Sequence, residues 1–137
     1  MEAAKRSDNS FKVSERLKSR KQIGALYQQG KSYRSEPFSL LCLPVTYRPD
    51  GVIQITFTAP KRRLKRAVDR NRAKRLMREA YRLNNHALTA WCDANQRSFD
   101  LMFIFRGGQL PDFHFTQDKI VLLLNRLMQG PNDKLTR

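Results

Sequence analysis

Eleven of the residues from 61 to 82 are Lys or Arg, and only Asp69 and Glu79 oppose them. Within this run Arg70, Lys74, Arg78 and Arg82 recur at every fourth position. On a helix such residues stand on successive turns, about 6 Å apart. That is close to the spacing of phosphates along one nucleic-acid strand, so the row can follow a backbone. Eight of the eleven cations are Arg, whose planar guanidinium suits bidentate phosphate contacts and stacking on bases. Asn71, between Arg70 and Arg72, adds an amide that can hydrogen-bond a base edge or a ribose. A solvated helix face would need more acids at i+4 spacing than Asp69 and Glu79 provide.

The rest of the chain sharpens this reading. The formal net charge is +15 over 137 residues. Residues 1–34 carry nine Lys/Arg against three acids, and outside the two basic blocks the signs balance at seven each. So localised an excess calls for a polyanionic partner. Protein-based hydrolysis finds little support, because it needs clustered carboxylates or histidines. His86 and His114 lie in unrelated contexts, and Asp112 beside His114 makes a weak pair. No catalytic residue and no metal ligand is therefore assigned. Cys42 and Cys92 are fifty residues apart without CxxC spacing, which indicates neither a zinc site nor a disulfide framework. The N-terminus lacks the apolar stretch of a signal peptide, and no run reaches membrane-span length. A cytoplasmic protein without membrane association is expected.

The elements that must position the basic run follow from periodicity. Residues 1–12 read as a basic flexible tail, 13–129 as a single RNA-binding domain and 130–137 as a C-terminal tail. A first helix fits Ser19 to Gln29, with Ser19 capping its start, Ile23, Leu26 and Tyr27 on one face, and Gly30 supplying a left-handed stop. Residues 31–35 form a short strand. Phe38 to Thr46 form another, with Pro44 pointing to an edge or bulge. Arg48-Pro49-Asp50-Gly51 is a turn, and Ile53, Ile55 and Phe57 alternate with Gln54, Thr56 and Thr58 in a half-buried strand. These two strands are expected to pair as a hairpin. The basic helix runs from Ala67 to about His86, with Ala73, Leu76, Met77, Ala80, Ala87 and Leu88 as its apolar stripe and Trp91 extending it. Phe99 to Arg106 reads as a fully buried strand, with Asp100 as a turn residue at its start. A last helix spans Thr116 to Gln129 and is ended by Gly130-Pro131. One sheet with helices packed on it makes an α+β sandwich.

These features alone favour RNA over DNA and go no further. A helix-turn-helix reader needs a helix just before the recognition helix, where this chain has a strand and Pro60-Lys61-Arg62-Arg63. The aromatic signature of RRM-type modules is missing too, Phe57 standing alone. A specific resemblance narrows the choice. The run Ala67-Val68-Asp69-Arg70-Asn71-Arg72-Ala73-Lys74-Arg75-Leu76-Met77-Arg78-Glu79-Ala80-Tyr81 resembles the RNR motif of the bacterial ribonuclease P protein. Pro60-Lys61-Arg62, Arg16-Leu17-Lys18 and Phe38 fit the same pattern, which covers roughly residues 14–129.

The resemblance implies an α-β-β-β-α-β-α order with a left-handed βαβ crossover. It implies a subunit that binds ribonuclease P RNA and precursor tRNA, with catalysis and Mg2+ belonging to the RNA, no cofactor held by the protein, and no obligate protein partner. Arg70, Asn71, Arg72, Lys74, Arg75 and Arg78 match the RNA-subunit-binding positions. A cleft for the single-stranded 5′ leader would involve Ile23, Tyr27, Leu41, Lys61 and Arg63. The chain departs from the family pattern in two places. Ile23 and Leu41 stand where members often carry aromatics, which implies weaker base stacking, and the stretch 62–66 is about one residue longer than in some relatives. The alternative is a ribosomal-type structural RNA-binding protein with no part in cleavage.

Overall fold

The computed structural model describes residues 15–134. The basic tail expected over 1–12 lies outside them. The elements are α1 (Arg20–Gln29), β1 (Lys31–Ser35), β2 (Phe38–Val45), β3 (Ile53–Thr58), α2 (Ala67–Asn84), α3 (His86–Asn95), β4 (Ser98–Phe105) and α4 (Phe113–Lys134). The four strands form one sheet in the order β1-β2-β4-β3. β1 and β4 both run antiparallel to β2, whereas β3 lies parallel to β4.

The hairpin expected between the second and third strands does not form, because β4 lies between them. Every residue of β4 is buried, and a strand apolar on both faces belongs at the centre of a sheet covered on both sides. The connection over 46–52 is long enough to cross one strand at about 4.8 Å spacing. The actual hairpin is β1–β2, and β3 and β4 are joined by a crossover through α2 and α3. Pro44 pairs with Phe99 but lies beyond the β1 register, which stops at Cys42. It therefore occupies a locally open edge.

Side-chain alternation divides the core. Phe99, Leu101, Phe103 and Phe105 of β4 join Phe38, Leu40, Ile53, Ile55 and Phe57 beneath α2, α3 and α4. Met102 and Ile104 face the other way, toward Leu17 and Leu26, with Ile23, Leu41 and Leu43 packed alongside. On the larger side Phe57 stacks on Phe103 at 6.1 Å and meets Tyr81 edge-on at 6.1 Å. Burial pushes the Tyr81 hydroxyl well above its ordinary pKa.

Several element ends differ from expectation. Ser19 caps α1 as expected, its hydroxyl accepting from the Gln22 amide at 3.2 Å. Gly30, however, is extended (φ −71°), not left-handed. Its glycine identity has another cause: a Cβ there would fall 2.5 Å from the Leu26 carbonyl oxygen. The long helix ends at Asn84, and Asn85 (φ −90°, ψ −2°) turns the chain into α3. The change of axis takes Ala87 out of the stripe to the surface and sets Trp91 against Phe99, ring centroids 6.2 Å apart. Leu76 is only half-buried. Asp112 begins the last helix at Phe113 by accepting from the Phe115 amide at 2.8 Å, which explains its place near His114. That helix passes Gly130 and Pro131 to Lys134, so the expected C-terminal tail from 130 begins as helix. Proline removes a single donor here, and the turns before it are held by buried Ile120, Leu123, Leu124 and Leu127.

Both cysteines are buried, and neither is in a disulfide. Burial, and next Asp93, push the Cys92 thiol up to about 12. Because only the thiolate is a good nucleophile, a thiol reagent at pH 8 should leave Cys92 unmodified in the native protein and label it after unfolding. Mass spectrometry distinguishes the two states, and fast labelling of folded protein would mean that α3 opens readily.

Candidate nucleic-acid interface

The basic run is divided between the loop over 60–66 and α2. Buried Leu64 anchors the loop, while Lys61, Arg62, Arg63, Lys65 and Arg66 around it are exposed. α2 sets Ala73, Met77, Ala80 and Tyr81 into the core, which leaves Asn71, Arg72 and Arg75 exposed and Lys74 and Arg78 half-buried. Asp69 in the first turn suits the positive end of the helix.

The cations do not share one environment. Arg70 Nη1 donates to the carbonyls of Leu64 at 2.9 Å and Lys65 at 2.7 Å, folding back to close the loop that precedes it. Arg82 pairs with Glu79, its Nε donating to Oε1 at 3.1 Å. This pairing holds the Glu79 carboxyl below its usual range. Arg66 lies 3.8 Å from Asp69. Arg78 covers the Phe57 ring at 5.7 Å. Among the described residues, no carboxylate pairs with Arg72, Lys74 or Arg75. These three therefore present uncompensated charge, and a groove lined by Arg72, Arg75, Leu76, Arg78 and Phe113, with the Glu79–Arg82 pair in its wall, runs beside them. Guanidinium groups over an apolar floor suit phosphate with base stacking.

The positions expected to form a second cleft are only partly gathered. Ile23 of α1 and Leu41 of β2 are half-buried and pack against the smaller core. Tyr27, one turn further along α1, is 61% exposed, an unusual setting for a large aromatic. Lys61 and Arg63 stand apart from α1 in the β3–α2 loop; Arg63 donates to the Arg106 carbonyl at 3.1 Å, at the end of β4. Among the described residues no hydrogen bond or ion pair joins either to α1.

Sequence reading missed a polar cluster on this α1-facing side. Asp100 is no turn residue; it lies within β4 and is 1% exposed. Arg48 Nη2 approaches its Oδ1 to 3.0 Å, a charge contact with poor hydrogen-bond angles. Gln22 of α1 donates to its Oδ2 at 3.3 Å and to Gln54 Oε1 at 3.2 Å. Arg48 also donates to the carbonyls of Gly51 and Phe99. The available signal was an acid in a run otherwise apolar from Phe99 to Phe105, which in a central strand must have a partner. Among the described residues, no three His, Cys, Asp or Glu side chains gather as metal ligands, and no helix is long and apolar enough to cross a membrane.

A family model described as Ribonuclease P matches residues 11–128. A ribonuclease P protein component from Porphyromonas gingivalis is 37% identical over 105 residues, 73% of each chain. One from Chlorobaculum tepidum is 32% identical over 132 residues, 89% of this chain and 85% of the relative. Among solved structures, the RNase P protein from Thermotoga maritima superposes with a TM-score of 0.62 at 25% identity, covering 82% of this chain and 96% of that one. The Staphylococcus aureus RNase P protein gives a TM-score of 0.63 at 18% identity, covering 83% and 97%, and so supports the fold alone.

Proposed function

Since the chain belongs to the ribonuclease P protein family, we propose that it binds ribonuclease P RNA through α2 and assists removal of the 5′ leader from precursor tRNA. The observation that carries this reading is the outward row of Arg72, Lys74 and Arg75, without acidic partners among the described residues, on a helix locked to the sheet by Met77, Ala80 and Tyr81. The row's charge lowers the repulsion between two RNA molecules that must approach each other, a role otherwise filled by counterions. Hydrolysis and the Mg2+ that supports it belong to the RNA; the protein contributes binding and orientation. Asn71 and Arg78 extend the same surface, and Arg70 acts mainly by fixing the loop over 60–66. The setting of this activity is the cytoplasm.

The leader runs along the α1 side of the sheet. Tyr27 supplies a stacking surface, Ile23 and Leu41 an apolar floor, and Lys61 and Arg63 charge further along the strand. With Tyr27 as the exposed aromatic of this surface, Tyr27→Ala should lower the preference for leader-bearing over mature tRNA by roughly five- to tenfold, the lower end of what one base–aromatic stack contributes. Equal weakening for both substrates would place Tyr27 outside the leader path.

Reconstitution tests the whole reading. Adding the protein to a bacterial ribonuclease P RNA at low Mg2+ should restore precursor tRNA cleavage, while protein alone should cleave nothing. Absence of stimulation, or robust cleavage by RNA-free protein, would overturn it.

A further inference from the structure

Beside α2 lies a hollow that the row of exposed arginines does not explain. It has a volume of about 550 Å3 and is lined by residues 16–18, by Ile55, Thr56 and Phe57 of β3, and by Lys74 and Arg78 of α2. The segment before α1 is seated there by backbone pairing along the outer edge of β3: the Leu17 amide donates to the Ile55 carbonyl at 3.0 Å, and Arg16 bridges Ile55 in parallel. Buried Leu17 points into the smaller core, so Arg16 and Lys18 on either side of it are held at the rim. The lining thus brings Arg16, Lys18, Lys74 and Arg78 together and includes no carboxylate. Lys18, Lys74 and Arg78 around one hollow repel one another unless an anion enters. Thr56 adds a hydroxyl, while Leu17, Ile55 and Phe57 beneath are buried in the core and fix the walls.

Cations on the rim fit an anionic group, and the planar Arg78 guanidinium, held over the buried Phe57 ring, fits a flat body attached to it. The volume falls within the range of about 300–1,000 Å3 usual for small-ligand sites. We propose that this hollow receives one nucleotide of the RNA strand bound along α2, its phosphate among Lys18, Lys74 and Arg78 and its base against the Arg78 guanidinium. The inference rests on the RNA-binding reading above. It makes Arg16, Lys18 and Thr56 part of an RNA interface that continues past the helix onto the sheet edge.

The test compares two double variants of the full chain for affinity toward ribonuclease P RNA across a salt series, with thermal unfolding as the control for folding. Arg16→Ala/Lys18→Ala should weaken binding by roughly tenfold or more and lower the salt slope by at least about one unit. Lys18→Ala alone, which leaves the Leu17 anchor and Arg16 in place, should lower the slope by about one. Adenosine 5′-monophosphate added to the isolated protein should shift the backbone resonances of Lys18, Thr56 and Lys74, whereas adenosine should not. If Arg72→Ala/Arg75→Ala weakens binding but the Arg16/Lys18 variants do not, the hollow is no part of the RNA site even where the mononucleotide binds. If neither pair has an effect, the RNA-binding reading fails together with it.

Discussion

Arg72→Ala/Arg75→Ala should weaken binding to ribonuclease P RNA by about 2–4 kcal/mol, roughly 30- to 1,000-fold, while leaving the melting temperature nearly unchanged. Both side chains are exposed, and among the described residues neither is held by a carboxylate. Their removal therefore orphans nothing in the free protein, and the loss appears in the complex alone. If each makes one phosphate contact, the salt slope should fall by about two units. Arg70→Ala should behave differently. Its guanidinium already donates to Leu64 and Lys65, so its loss should cost stability of about 1 kcal/mol and loosen the loop that carries Lys61 and Arg63. Filter binding or calorimetry at several salt concentrations, set beside thermal unfolding, separates these two behaviours. An unchanged slope for Arg72→Ala/Arg75→Ala would mean that α2 faces water in the complex.

That contrast marks where sequence reading succeeds and where it stops. The basic row was legible because a period of 3.6 divides charge from core within one helix: Ala73, Met77 and Ala80 are buried where the stripe put them. The alternation over Ile53 to Thr58 was equally plain, and β3 shows it residue for residue. Both signals are local. Strand order is not local, so neighbours in sequence were paired as a hairpin although the doubly apolar β4 claims the position between them. Nor does a sequence say how a long side chain is used. Arg70 and Arg75 read alike, yet one closes a loop and the other projects into solvent. Gly30 was correctly taken as the stop of α1 for an incorrect reason, since a close carbonyl and not a left-handed turn excludes a side chain. The hollow at the β3 edge joins residues 16–18 to Lys74 and Arg78, a separation in sequence that no spacing rule bridges.

Asp100→Ala should be the most damaging single polar substitution, lowering stability by about 3 kcal/mol. Asp100 is 1% exposed on the central strand, and α1 above it buries only Leu26 completely. With so little apolar anchorage, the helix depends on Gln22, which bonds Asp100 and Gln54 together. Deleting the carboxylate removes that acceptor and leaves the Arg48 guanidinium without its counter-charge. Breaking a buried pair by removing one partner costs about 3–5 kcal/mol. The lower end applies because the Arg48 side chain is 24% exposed and water can reach it. For a domain of this size the melting temperature should fall by about 10–15 °C. Arg48→Ala/Asp100→Ala should cost less than the sum of the two single changes, because the second substitution removes the group that the first leaves stranded. Strict additivity, or a cost below about 1 kcal/mol for Asp100→Ala, would show that α1 is held by its apolar contacts alone. A coupled loss would instead identify this polar cluster as what fixes α1 over the sheet, and with it the position of Tyr27.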